Sequence, residues 1–353
     1  MRKIDRYVVS TVSGAIIMVL GVVISLDLVF GLIAELEDTK NDYGTIEALT
    51  YVIITLPRRI YDYLPLAAFI GSLIGLGVLA NNSELVVIRA AGVSIARIVW
   101  SAMKPAIVVV LVGLLLGEYI APYTERIAQS QKAIATGGKD RVASSKGVWH
   151  RENNTFMHFN AVQPGGVLYG VTLYTFDENE WLSDITYAER GLYHEGQWLL
   201  EKVEKISIDQ HSAKKTFADS KEWEARLSPE VLSFLIVKPD NLSISGLYAY
   251  SNYLSEQGLN ATRYLMSFWK KLLRPITTAV LVLVAISFIF GPLRSVTMGF
   301  RVFTGIIVGL LFKYMQDLLG PSSLVFGFNP IWATLVPIII CSLVGIILMR
   351  RAG

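Results

Sequence analysis

Two patterns alternate along the chain. Apolar residues run almost unbroken through Val8 to Ala34, Leu49 to Ala80, Trp100 to Ala121, Leu272 to Phe290, Val302 to Leu319 and Ile331 to Met349. Roughly 20 such residues cross a hydrocarbon core of about 30 Å at 1.5 Å per residue, so these runs predict six transmembrane helices. The second run is interrupted by Arg58, Arg59 and Asp62. The first is long and has no small-residue cleavage site after a short apolar core, and it reads as a retained span and not a removed signal peptide.

Between the third and fourth runs the period changes. In GVTLYTFDENEWLSDITYAERG, Asp177 to Glu180 reads as a turn between two β-rich arms, and GQWLLEKVEKISID, Gly196 to Asp209, repeats the alternation. Pro122 to about Ala261 is therefore expected to be a mostly antiparallel β-domain of roughly 140 residues. The expected fold class is membrane α plus all-β. Residues 1–121 carry three spans and a short charged helix at about 81–94, residues 122–261 the β-domain, and residues 262–353 three more spans. No repeat at a fixed period supports a duplication of the two halves.

Composition agrees with a membrane protein: 53% hydrophobic against 17% charged residues, with mean hydropathy +0.48, is too apolar for an ordinary soluble chain. The net charge of +3 makes no case for nucleic acid. Position matters more than total. Arg2, Lys3 and Arg6 precede the first span; Arg89, Arg97 and Lys104 fall between the second and third; Arg294 and Arg301 separate the fourth and fifth; Arg350 and Arg351 follow the sixth. The opposite loops are poor in positive charge, Lys40 standing against Glu35, Glu37, Asp38, Asp42 and Glu47. Both termini are accordingly expected in the cytoplasm and the β-domain outside it.

Several chemistries lack their residues. No G-x-x-x-x-G-K-[ST] loop is present to hold ATP, so the expectation is a non-enzyme that binds no cofactor, with any ATP and Mg in a separate partner. His150, His158, His194 and His211 show no zinc-ligand spacing, and no G-x-S-x-G stands out for a hydrolase. The lone Cys341 lies in the last apolar run and forms no intrachain disulfide.

Charges inside spans cost about 2.5–3.5 kcal/mol each at the bilayer centre unless they face protein or water. Asp27 lies late in the first span; Lys313 and Asp317, one turn apart, are expected to neutralise each other. Arg58 and Arg59 follow Pro57 and either snorkel to headgroups or meet the phosphate of a transported lipid. NNSELVVIRAAGVS, Asn81 to Ser94, reads as a short amphipathic helix with Leu85, Val86, Ile88 and Ala90 apolar, Glu84 and Arg89 polar, and Gly92 to end it. Taken alone, the residues fit a permease driven by an external ATPase. They also fit a proton-coupled lipid transporter using Asp27 or Asp317, or a membrane-anchored envelope scaffold.

SELVVIRAAGVS, SFIFGPLRSVTMGFRVFTG and DNLSISGLYAYSNYL, in a layout of spans, β-domain and spans, resemble the LptF/LptG family of lipopolysaccharide export permeases. The resemblance extends over essentially the whole chain. It implies an LptF–LptG heterodimer in the inner membrane of a Gram-negative bacterium, an LptB ATPase dimer beneath it, LptC alongside, and a periplasmic β-jellyroll that passes lipopolysaccharide towards the LptA bridge. The short helix would be the coupling helix that enters a groove of LptB, with Ser83, Glu84, Leu85, Arg89 and Gly92 in that role. Enteric relatives carry lysines late in the first span and just after it, where this chain has Gly31, Glu37 and Asp38. Candidate lipopolysaccharide contacts are therefore Lys40, Arg58, Arg59 and Lys313 for phosphate, with Leu26, Phe30, Phe69, Leu311 and Phe312 for acyl chains.

Overall fold

The computed structural model describes residues 2–39, 43–137, 148–152, 154–163, 166–194, 196–209, 212–223, 232, 238–256, 260–290 and 296–352. They form two compact units, one of residues 1–30, 56–121 and 243–353 and the other of residues 31–55 and 122–242. Helix α1 spans Arg2–Glu37, α2 Thr45–Ile54, α3 Leu56–Asn81, α4 Glu84–Ala90, α5 Ile95–Leu115 and α6 Ala121–Gly137, with a π-helical turn at Leu116–Ile120. After the strands come α7 (Ile244–Glu256), α8 (Thr262–Leu272), α9 (Arg274–Phe290), α10 (Met298–Phe326) and α11 (Pro330–Ala352).

Among the described residues five helices are long and apolar enough to cross a membrane: α1, α3, the continuous stretch Ile95–Thr136, α10 and α11; α8 and α9, bent by 48°, make a sixth candidate. The apolar run from Leu49 to Ala80 is thus not one element. It breaks at Thr55, whose hydroxyl bonds the carbonyls of Tyr51 at 3.0 Å and Val52 at 3.1 Å. Pro57 then occupies the first turn of α3, where its missing N–H costs nothing.

In the helical unit α3 is the central element, its Phe69, Leu73, Leu76 and Leu79 all at 0% exposure. α1 crosses it at Gly71 and Gly75, where an added Cβ would stand 2.5 Å from Ile16 Cα and 2.8 Å from Val12 Cα. Small residues four apart let two backbones approach this closely without a hydrophobic driving force from lipid. Gly305 and Gly309 of α10 receive Leu73 and Leu66 in the same way, a Cβ at either standing 2.7 Å from the leucine methyl. α7, expected within the β-domain, belongs to this unit. Its N-terminus is capped from afar: Glu118, on the π turn, accepts the amides of Ile244 at 2.8 Å and Ser245 at 3.2 Å.

The described residues of the other unit form a six-stranded antiparallel sheet in chain order, β1 (Val148–Glu152), β2 (Thr155–Gln163), β3 (Val167–Phe176), β4 (Leu182–His194), β5 (Gln197–Asp209) and β6 (Ser212–Trp223). The register aligns Phe159, Val171, Ala188 and Val203 in one row across four strands, and all are buried. Period-two alternation in each strand produces this shared face. The β3–β4 turn is the one legible in the sequence: Asp177 Oδ1 accepts the amides of Asn179 at 2.9 Å and Trp181 at 2.8 Å.

Candidate functional site

The helix between the second and third apolar runs is α4, seven residues long, closed at both ends by left-handed residues: Ser83 at φ +59° and Gly92 at φ +84°. Val93 N bonds Ile88 O at 3.3 Å and Gly92 N bonds Arg89 O at 3.0 Å, the paired bonds of a Schellman stop. Ile88 and Val93 are both buried in the core of the helical unit, as is Leu85, so the apolar face of α4 anchors it to that core. The opposite face is open. Val86 is 52% and Val87 66% exposed, with Arg89 exposed beside them, and Asn82 Nδ2 bonds Glu84 Oε1 at 3.2 Å. Val86 therefore differs from Leu85 and Ile88: it is part of the presented surface and not of the anchor. α4 thus carries a small exposed face that is both apolar and charged.

Two further apolar faces are exposed, one on α1 and one on α10. Met18, Val22, Leu26, Val29, Phe30 and Ile33 form an exposed apolar stripe on α1, and Phe303, Leu310, Leu311, Tyr314 and Leu318 form one on α10. Leu26, Phe30 and Leu311 are thus each more than half exposed. Phe69 and Phe312 are not: both are buried in the helix core, where they fill space between α3 and its neighbours. Lys313 is exposed. Lys40 and His211 lie outside the described residues.

The charges within the apolar helices are paired in ways their spacing did not reveal. Asp27 accepts 2.5 Å and 2.8 Å hydrogen bonds from Arg59 Nη1 and the Tyr63 hydroxyl, so Arg59 is engaged across α1 and α3. Arg58, its neighbour, is half-buried. Asp317 lies 3.5 Å from Lys270 of α8 and is not the partner of Lys313. The one-turn spacing on α10 does bring positions 313 and 317 to neighbouring places, but a lysine from the adjoining helix reaches the carboxylate instead. Arg301, expected in a charged loop, is 2% exposed and bonds the Gly77 carbonyl at 2.6 Å.

In the sheet-bearing unit the acidic stretch after α1 has a definite use. Lys132 of α6 pairs with Glu35 and, at 3.1 Å, with Asp38, and its ammonium sits 5.4 Å and 5.1 Å from the ring centres of Tyr43 and Tyr51. Burial, with the Glu35 carboxylate beside it, pushes the Tyr43 phenol well above its ordinary range. Strand β6 is exposed along nearly its whole length. Among the described residues no group of three or more His, Cys, Asp or Glu side chains is arranged to hold a metal.

Membrane-length apolar helices packed by close glycine contacts, a short charged helix between two of them, and an antiparallel sheet carried between helical segments define a multi-pass membrane α plus β permease. The family described as "Lipopolysaccharide export system permease LptF/LptG" matches residues 6–351. The chain belongs to this family. It is 35% identical over 354 residues to the lipopolysaccharide export system permease protein LptG of Escherichia coli (strain K12), covering 99% of this chain and 98% of that protein. To the LptG protein of Haemophilus influenzae (strain ATCC 51907 / DSM 11121 / KW20 / Rd) it is 34% identical over 340 residues, 96% of this chain and 95% of that one.

Proposed function

We propose that this chain is a transmembrane permease subunit of an ATP-driven lipopolysaccharide exporter, in the role its LptG-named relatives hold. The observation that carries the reading is α4. A chain with no phosphate-binding loop needs a mechanical handle for its energy source. α4 is a preformed helix with one face locked by Leu85 and Ile88 and the other offering Val86, Val87 and Arg89, while Glu84 stands half-buried in its first turn. Ser83 and Gly92 fix its two ends. In this reading an LptB dimer takes α4 into a groove from the cytoplasm, where both termini also lie, and supplies the ATP and Mg. This subunit itself catalyses no reaction and binds no cofactor.

The substrate side follows from the two apolar stripes. α1 and α10 each present an exposed apolar face, which suits a cavity completed by an LptF partner, each subunit's α1 facing the other's α10. Leu26, Phe30 and Leu311 would meet acyl chains; Lys313, Arg58 and, when released from Asp27, Arg59 would meet phosphate, with Lys40 a further candidate. The inner membrane is the location and the periplasm the side of the sheet, where β6, exposed along nearly its whole length and last in the sheet among the described strands, offers backbone pairing to LptC and LptA-type β-proteins. LptC would stand beside the heterodimer. Nucleotide-driven motion of LptB would shift the membrane helices between two states, expelling lipid towards the sheet.

Co-purification tests the handle. Wild-type chain co-expressed with its LptF and LptB is expected to carry both, and Val87→Glu on the exposed face of α4 to retain LptF while losing LptB. Retention of LptB by Val87→Glu and by Glu84→Arg alike would reject α4 as the handle.

A further inference from the structure

Two adjoining cavities, lined by no residue of α1 or α10, lie on the side of the helical unit where α3, α5 and α9 meet. Their polar end is built on Tyr61. Arg274, the first residue of α9, stacks its guanidinium carbon 3.9 Å from the Tyr61 ring centre, and Lys271, the last but one residue of α8, places its ammonium 5.2 Å from the same centre. These side chains, with Leu64, Val109 and Gly113, line a small cavity of about 20 Å³. Val110 and Pro275 border both this cavity and a larger apolar groove of about 440 Å³ between α5 and α9. Ile107 and Leu111 form one wall of the groove and Ile276, Ala279 and Leu283 the other.

The arrangement has a head and a tail. From Pro275 to Leu283 the groove follows about 12 Å of helix at 1.5 Å per residue, a length that accommodates an acyl-chain segment. The cations stand where α8 bends by 48° into α9, at the polar end of the apolar run, the depth at which headgroups meet hydrocarbon. Two carboxylates are close. Asp62 is half-exposed and bonds Arg274 at 3.3 Å, while Glu118 is occupied by the amides of Ile244 and Ser245. Both Nη atoms of Arg274 are held by Asp62, Nη2 also donating to the Asp62 carbonyl at 2.8 Å, so a phosphate would take over part of that contact, and Lys271, only 5% exposed, adds a second positive charge behind Tyr61.

We propose that this groove is a binding site for an anionic glycerophospholipid of the membrane, its phosphate at Lys271 and Arg274 and one acyl chain between α5 and α9. The site is independent of the exporter reading and of the α1 and α10 stripes. A zwitterionic lipid would fill the groove equally but bring a cation to the head end, where Lys271 and Arg274 disfavour it.

The test is native mass spectrometry of the full-length chain in detergent with added phosphatidylglycerol or phosphatidylcholine. Wild type is expected to retain one phosphatidylglycerol about tenfold more strongly than phosphatidylcholine. Lys271→Gln with Arg274→Gln should abolish the headgroup preference. Ala279→Trp should reduce retention of both lipids through the groove alone, with an unchanged melting temperature separating occlusion from misfolding. Equal retention of the two lipids by wild type, variants that bind as wild type does, or displacement of phosphatidylglycerol by lipopolysaccharide at equimolar amounts would each overturn the proposal.

Discussion

Arg301, at the start of α10, donates a 2.6 Å hydrogen bond from Nη1 to the carbonyl of Gly77 near the end of α3. Both groups are buried, and four residues after Gly77 the chain leaves α3 for α4. The bond ties the helix that carries the exposed α10 stripe to the segment that positions α4. Arg301→Leu is expected to lower stability by about 1.5–3 kcal/mol, the range for a hydrogen bond with a charged partner. Thermal unfolding of the purified chain measures the loss, and ATPase stimulation at a temperature where the variant is still folded should fall with it.

Asp27 and Arg59 form a second tie, between α1 and α3, completed by Tyr63. Removing one partner strands the other in a low-dielectric setting, while removing both leaves no orphan charge. Asp27→Asn and Arg59→Gln are each expected to cost about 1–3 kcal/mol, because the pair is partly exposed, and the double variant less than their sum. A double-mutant cycle by chemical or thermal unfolding checks this; strict additivity would show that the contact carries no coupling.

The α1–α3 crossing should be intolerant of any side chain at Gly71. A Cβ there meets Ile16 Cα at 2.5 Å, a backbone atom that cannot step aside. Gly71→Ala is expected to destabilise by about 1–3 kcal/mol through overpacking, and Gly14→Ala, with open space around it inside the same helix pair, to hold or slightly raise the melting temperature.

The sheet offers a pH test. Burial lowers the His150 imidazole from its ordinary range, so the unfolded chain binds the proton more readily than the folded one. The folded state keeps its full stability above the unfolded pKa of about 6.5 and loses it as pH falls through and below that value. Tryptophan fluorescence of unfolding between pH 7.5 and 5.0 follows the loss, and His150→Phe should flatten the profile.

Much of this architecture is legible in the sequence, and the remainder is hidden for identifiable reasons. Unbroken apolar runs mark the spans because lipid requires them, and Asp177 marks its hairpin because its side chain makes the turn's bonds. The break at Thr55 was signalled only by Leu56-Pro57 inside a run that stayed apolar. The π turn at Leu116–Ile120 leaves no trace in hydropathy, although it aims Glu118 at the start of α7 and so draws residues 244–256 to the helical unit. Charges mislead most. Arg301 has the position of a loop cation yet is buried, and Asp317 has Lys313 one turn away yet meets Lys270, since partners from other helices leave no spacing to read. Lys132 is held by Glu35 and Asp38 from more than 90 residues away, and nothing local announces it.

The central claim is that a separate ATPase drives this chain through α4. Release of lipopolysaccharide from proteoliposomes holding the chain with LptF and LptB, with periplasmic acceptor outside, tests it most directly. The account predicts release that requires ATP, ignores an imposed proton gradient, and falls to background when Glu84→Arg is introduced with LptF still bound. Release driven by a proton gradient without ATP, or ATP-driven release that survives Glu84→Arg and Val87→Glu together, would contradict it.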